Sequence, residues 1–395
     1  MKIYQSFILI IFYLQACHNL FSQQAFLNSP IKGQYLNDYF IVNYVDWSFD
    51  SIHDHHCGSK TYDGHAGTDF AIKNFSQMDK GIEVLAAADG IVTAVVDSLF
   101  DRNKTAITGN FGNYIAIRHP NKYYSYYAHL KKNSALVKPG DAVTSGQTLA
   151  LIGSSGYSSD PHLHFELWYD SLYVVDPFKG SCGNPGSLWN SELPYVDSFG
   201  IIDHDFCNFA PSLDELKERI PSQKKYTEKD DTISFWIQSY GIRKDDISTI
   251  NWYTPSDELW FTFSYTHTSD LWYSYFYTYI FRPTLAIPGI WKAEYLINNQ
   301  QKLTDYFELS QSTSSNNINY EAAFWIENGH LHFLKPMQQD GDIRIFNTLG
   351  QCIYSAKLTS HIKDVQLPLI DLNNTMYILN VSNPGYSKSL KFYKF

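Results

Sequence analysis

His65 and Asp69 stand four apart in His-Ala-Gly-Thr-Asp, and His162 and His164 stand two apart in Pro-His-Leu-His-Phe-Glu-Leu. Imidazole nitrogens and carboxylate oxygens are ligands that zinc accepts. Successive side chains of a β-strand point to opposite faces. On a strand, His162, His164 and Glu166 therefore share one face, and Leu163, Phe165 and Leu167 the other. The apolar face can bury in a core while two imidazoles enter a cleft. A lone His-x-His pair is common on strands that bind nothing. The chain repeats the pattern at His330 and His332 and clusters histidines again at His53, His55 and His56. No His-Glu-x-x-His string occurs, so the helical zincin design is excluded.

The elements that must position these residues read as short strands. Thr68–Ile72, Glu83–Ala88, Ile91–Asp97, Asn113–Arg118, Tyr123–Ala128, Thr148–Ile152 and Leu163–Trp168 alternate or are rich in Val, Ile and Tyr. Gly, Pro, Asp and Asn punctuate them, and long helical patterns are lacking. The fold class expected is mainly β: an antiparallel β domain with the histidines on strands and strand ends.

The stretch from Asp63 to Pro177 resembles the lysostaphin-type, LytM-like zinc metallopeptidases of bacterial cell walls. Gly64-His65-Ala-Gly-Thr-Asp69-Phe is similar to the family's His-x3-Asp signature. Val84–Val92, Gly112–His119, Tyr127-Ala-His129-Leu, Lys138–Val143, Gly153-Ser-Ser-Gly156, His162-Leu-His164-Phe-Glu and Asp176-Pro177 follow in the family's order. Ser159-Asp160 stands where Thr-Gly is common, which reads as loop variation. The resemblance implies that His65, Asp69 and His164 are zinc ligands and that His129 and His162 are the catalytic histidines. Spacing alone leaves open which of His162 and His164 binds metal. Three protein ligands leave a fourth position for water, the mark of a catalytic zinc. Such a zinc acidifies water and polarises a carbonyl, while a neighbouring His moves the proton and another meets the oxyanion.

The chain has 395 residues, enough for two or three domains. Aromatics make up 16%, with 30 Tyr and 26 Phe, and charged residues only 18%, which argues against wholesale disorder. A net charge of −10 argues against nucleic-acid binding. Lys2 followed by the apolar run Phe7–Leu14 reads as a signal peptide over 1–22, too short to span a bilayer. Leu14-Gln-Ala-Cys17 is a degenerate lipobox, so a lipoprotein is the alternative. Export permits disulfides. Cys57 and Cys182 flank the resembling segment, and pairing them would tie its ends together. The rival is a second, structural zinc at Cys57 with His53, His55 and His56.

A peptidase domain is placed at 40–190, a β-sandwich accessory module at 205–315 and a small C-terminal β-sandwich at 318–395. Ser212-Leu-Asp-Glu215 is a capping box opening a short helix that Pro221 ends. The runs Thr232–Gln238, Leu259–Thr266, Leu271–Phe281 and Gly289–Leu296 read as strands of the accessory module. The rings of Leu271–Tyr279 are expected to fill its core and its interface with the peptidase; sugar stacking is the alternative. Asp342–Phe346, the Leu349-Gly-Gln351 turn, Met376–Val381 and the Lys/Phe-rich end resemble the sorting domain of type IX secretion substrates. His330 and His332 read as structural.

These readings predict a monomeric, secreted or surface-located zinc endopeptidase. Its partners would be peptidoglycan cross-links and the type IX machinery. A non-catalytic wall-binding scaffold, or a protease acting on glycine-rich proteins, is the alternative.

Overall fold

The strand readings translate into a chain of antiparallel pairings. The computed structural model describes residues 24–48, 51–106, 110–227, 230–281 and 287–310. Beyond these it describes 324–327, 330–333, 337, 339–348, 350–368, 376–383 and 386–393. The expected signal peptide and the lipobox fall outside them.

The first part carries β1 (Tyr39–Asn43), β2 (Thr68–Ile72), helix α1 (Phe75–Lys80), β3 (Glu83–Leu85), β4 (Gly90–Val96), β5 (Tyr114–Arg118), β6 (Tyr123–Ala128), β7 (Ala142–Val143), β8 (Thr148–Leu151), β9 (His162–Tyr169) and β10 (Tyr173–Val174). One sheet runs β1-β2-β9-β6-β5-β4-β7, with β10 also on β9; β3 and β8 pair separately. The alternation of β9 does what the sequence reading required. Leu163, Phe165 and Leu167 are at most 1% exposed and join Phe70, Ile115, Ile117 and Tyr127 in the core. The opposite face carries the histidines.

The largest boundary shift in this part has a local cause. The strand foreseen over Glu83–Ala88 stops at Leu85, because the Leu85 N–H turns to Pro30 O and the Ala86 N–H to Gln147 O. β1 and α1 were not foreseen. α1 is capped by the Asn74 side chain, which accepts from the Gln77 N–H.

The next part holds β11 (Gly200–Cys207), α2 (Leu213–Glu218), β12 (Lys225–Tyr226), β13 (Thr232–Tyr240), β14 (Ile247–Tyr253), β15 (Leu259–Thr266), β16 (Ser274–Phe281), β17 (Gly289–Ile297) and β18 (Gln300–Leu309). Sheets β11-β13-β16 and β12-β18-β17-β14-β15 enclose a core of Phe206, Tyr226, Phe235, Trp252, Trp291 and Phe307. This is the sandwich foreseen. Among the described strands of these two sheets, β12 and β18 are the parallel pair. The Ser212 capping box forms as read. β16 begins at Ser274 rather than Leu271, because the residues before it leave the sheet. Leu271 pairs with Ile242, the Trp272 Nε1–H donates to Ser59 O, and the Tyr273 hydroxyl donates to Lys73 O. Trp272 also packs with Phe40, Val42, Ala71 and Ile202. The aromatic run thus serves core and interface.

Two further antiparallel sheets close on a third core containing Leu331, Ile343, Ile345, Leu379 and Val381. Their strands include Phe324–Glu327, His330–Phe333, Gly341–Phe346, Cys352–Leu358, Asp364–Gln366, Met376–Asn383 and Tyr386–Tyr393.

Candidate metal centre and active site

β9 lies between β2 and β6, and that order assembles the site. Asp69 sits opposite His164 in the β2–β9 register, and Ala128 sits opposite His164 in the β6–β9 register. Cross-strand neighbours have Cβ atoms about 4.5–5.5 Å apart. His129 follows β6 by one residue, and His65 precedes β2 by three. All five candidate residues meet at one place.

Three of them converge most closely. Asp69 Oδ1 is 3.2 Å from His65 Nε2 and 2.8 Å from His164 Nδ1, and those two nitrogens are 3.2 Å apart. Ligands about 2.0–2.2 Å from a tetrahedral zinc are separated by about 3.3–3.6 Å. Two of the three distances are within about 0.1 Å of that range and the third is about half an ångström shorter. The far nitrogen of each ring is occupied. His65 Nδ1 donates to Tyr44 O at 2.7 Å, and His164 Nε2 donates to Glu166 Oε1 at 2.9 Å. Those bonds fix the tautomers a metal would need and aim His65 Nε2 and His164 Nδ1 at a common point. Asn43 Nδ2 holds Asp69 Oδ2 at 2.8 Å, and Trp168 Nε1 holds Glu166 Oε2 at 2.6 Å. The donor set fits zinc. Among the described residues it is the one group of three such ligands that comes together.

Charge supports the same reading. Burial opposes ionisation of Asp69, but the neighbouring His65 and His162 charges and the hydrogen bonds from His164 and His65 outweigh it. They hold the carboxyl well below its usual range. Burial lowers His164, yet its bonds to Asp69 and Glu166 win and push it up to about 9. Two carboxylates thus make this pocket attractive to positive charge.

His129 and His162 stand beside the trio, their ring centres 4.6 Å apart. His129 Nδ1 donates to Ser155 O at 2.8 Å, which leaves Nε2 free. Burial, reinforced by His162 and His164, pushes His129 well below the ordinary histidine range and keeps it neutral. Its φ of 60° lies in the left-handed region, which costs a non-glycine residue about 1–3 kcal/mol. Hydrogen bonds from its N–H to Phe111 O and from the Gly153 N–H to its carbonyl hold it there. His162 Nδ1 donates to Asp160 O at 2.8 Å, and its Nε2 is 3.7 Å from Asp69 Oδ1.

The close approach needs Gly67. A Cβ there would lie 2.7 Å from His164 Cε1 and from Phe165 O. Residues 63–177 match Peptidase family M23. This is the resemblance the motifs carried. A stretch of 160 residues is 38% identical to the peptidoglycan DD-endopeptidase ShyA of Vibrio cholerae, covering 40% of this chain and 30% of ShyA. The DD-carboxypeptidase/endopeptidase Mpg of Neisseria gonorrhoeae is 36% identical over 102 residues, 26% of this chain and 19% of Mpg. A zinc-containing peptidase from Vibrio cholerae, solved as a crystal structure, is 28% identical over 43% of this chain and 41% of its own, with a TM-score of 0.26. The chain spans about a third or less of the length of these two curated relatives. Residues 327–394 match the secretion system C-terminal sorting domain.

The surroundings of the M23 segment settle the other histidines. Cys57 and Cys182 form a disulfide, Cα to Cα 5.2 Å, as foreseen. Cys57 is therefore no thiolate ligand, and the rival structural zinc falls. His55 is buried instead, stacked on Phe178 with its Nδ1 3.6 Å from Asp176 Oδ2. His330 and His332 both face the Asp364 carboxylate, at 2.7 and 2.6 Å. Ser159-Asp160 is more than loop variation, because Asp160 Oδ2 pairs with Lys217 of α2. Asn43 and Tyr44 escaped the sequence reading, and Gly67 and Ser155 lay inside the motifs without a role assigned to them. Glu166 had a signal of its own, its place on the histidine face of β9.

Proposed function

We propose that the chain is an exported zinc endopeptidase that hydrolyses peptide cross-links of bacterial peptidoglycan. The observation that carries the reading is the convergence of His65, Asp69 and His164 on one point, with His129 and His162 beside it. The match to Peptidase family M23 and the peptidoglycan endopeptidases among the relatives support the substrate class.

His65 Nε2, Asp69 Oδ1 and His164 Nδ1 would hold the metal. Zinc, when bound, supplies Lewis acidity toward a scissile carbonyl and lowers the pKa of water to about 7. Neutral His129 accepts the proton of the attacking water at Nε2, since its Nδ1–H is committed to Ser155 O. The imidazolium so formed returns that proton to the leaving amine. His162, with Nδ1 fixed on Asp160 O, presents Nε2 to the same space. From there it faces the developing oxyanion and would stabilise it on accepting a proton at Nε2. The presence of all five residues favours an enzyme over a wall-binding scaffold that has lost its ligands.

The proposed organisation is a peptidase domain at 40–190, an accessory sandwich at 205–315 and a sorting domain at 318–395. The match to the secretion system sorting domain supports delivery to the cell surface. Chelation tests the metal. Phenanthroline should abolish hydrolysis of a cross-linked muropeptide, and one equivalent of zinc should restore it. Activity that persists in fully stripped protein would reject the reading.

A further inference from the structure

Lys217 belongs to α2 of the accessory module, yet its amine reaches the loop that precedes His162. Nζ donates to Ser159 O and to Lys104 O, both at 2.8 Å, and pairs with Asp160 Oδ2 at 3.1 Å. An ammonium has three donors, and these three acceptors take them. The residue is 5% exposed. A buried ammonium is costly unless it is fully partnered, so this contact is specified rather than incidental.

The far side of the same loop sets a catalytic ring. Asp160 O accepts the Nδ1–H of His162 at 2.8 Å. Ser158 Oγ donates to Asp160 O at 2.9 Å and lies 3.3 Å from His162 Nδ1. Three consecutive residues, Ser158 to Asp160, thus stand between the Lys217 amine and the His162 imidazole.

The helix that carries the amine is itself anchored. Glu218, next to Lys217, pairs with Arg102 and, at 2.9 Å, with Lys104. Arg102 also pairs with Asp79 of α1 at 2.7 Å. A second contact lies at β2, the strand that carries Asp69. There the Tyr273 hydroxyl and Gln238 Nε2 both donate to Lys73 O, at 2.7 and 2.6 Å. The module therefore meets the peptidase at the His162 loop and at the end of the Asp69 strand.

We propose that Lys217 is a positioning residue for the peptidase centre: through Ser159 and Asp160 it fixes the loop that orients His162, so the accessory module completes the working site. The catalytic consequence rests on the function proposed above; the orientation of His162 does not.

The test uses the full chain and Lys217→Met. Zinc content and KM should be unchanged, while kcat falls by about tenfold to a hundredfold, the cost of a misplaced catalytic group. In ¹⁵N spectra of histidine-labelled protein, wild type should show His162 as a single tautomer protonated at Nδ1. Lys217→Met should show exchange between tautomers. If Lys217→Met does not fold, Asp160→Asn, which keeps the shape and removes the ion pair, should give the same two changes. A folded variant with wild-type kcat and a wild-type His162 spectrum, altered only in melting temperature, would overturn the proposal. The spectrum is independent of turnover: wild type that cleaves nothing would sink the proposed function, while the tautomer comparison still decides the role of Lys217.

Discussion

Removing a ligand and removing a proton carrier should leave different signatures. Asp69→Ala or His164→Ala deletes one of three converging donors and should lose metal and activity together. His129→Ala should retain metal, measured by elemental analysis, and lose activity by roughly 10²-fold or more, the size of an acid–base contribution. Full activity in His129→Ala would refute its role. His330→Ala and His332→Ala should leave metal content unchanged, since Asp364 already occupies that pair. The five site residues were legible because their spacing is local or their family signature is strong. Their supports were not. Asn43 lies 26 positions from the carboxylate it holds, and Tyr44 and Ser155 act through backbone carbonyls that any residue could offer.

At the scale of elements, alternation made β9 readable, and β2 and β6 were placed by the motifs that carried the resemblance, whereas β14 and β18 escaped. β14 is buried over most of its length, and β18 opens on three exposed polar residues, Gln300, Gln301 and Lys302. Neither shows the clean alternation of a half-buried strand. The segment around Cys57 carries its own pH dependence. Burial pushes His55 down to about 4, so the fold accepts it only neutral. Its contribution is complete above the ordinary histidine pKa near 6.5 and is lost as pH falls from there toward 4. Burial pushes the nearby Asp176 carboxyl up to about 7, which acts in the opposite sense over an overlapping range. Comparison with His55→Phe isolates the histidine, because Phe can keep the stack on Phe178. From pH 7 to pH 5, wild type should lose about 2 kcal/mol relative to His55→Phe in urea unfolding. Parallel pH profiles for the two would show that His55 is not held neutral.

At the scale of the molecule, composition and resemblance announced three β units, but not that the second would reach into the first. The contacts of Lys217 and Tyr273 join residues more than 50 positions apart, and no local pattern encodes such docking. The third unit has its own core and contributes none of the five site residues. Deleting 318–395 should therefore leave catalysis intact while active enzyme accumulates in the periplasm. Normal surface delivery of the truncated protein would reject the sorting role, and loss of activity would mean that the tail braces the catalytic part. The central claim is tested most directly by mass spectrometry of fragments released from purified sacculi by the zinc-loaded full chain, with Asp69→Ala as control. Wild type should release muropeptides cut at a cross-link peptide bond, with a new amine and a new carboxylate, and Asp69→Ala should release none. Intact cross-links after digestion by protein carrying one bound zinc would contradict it.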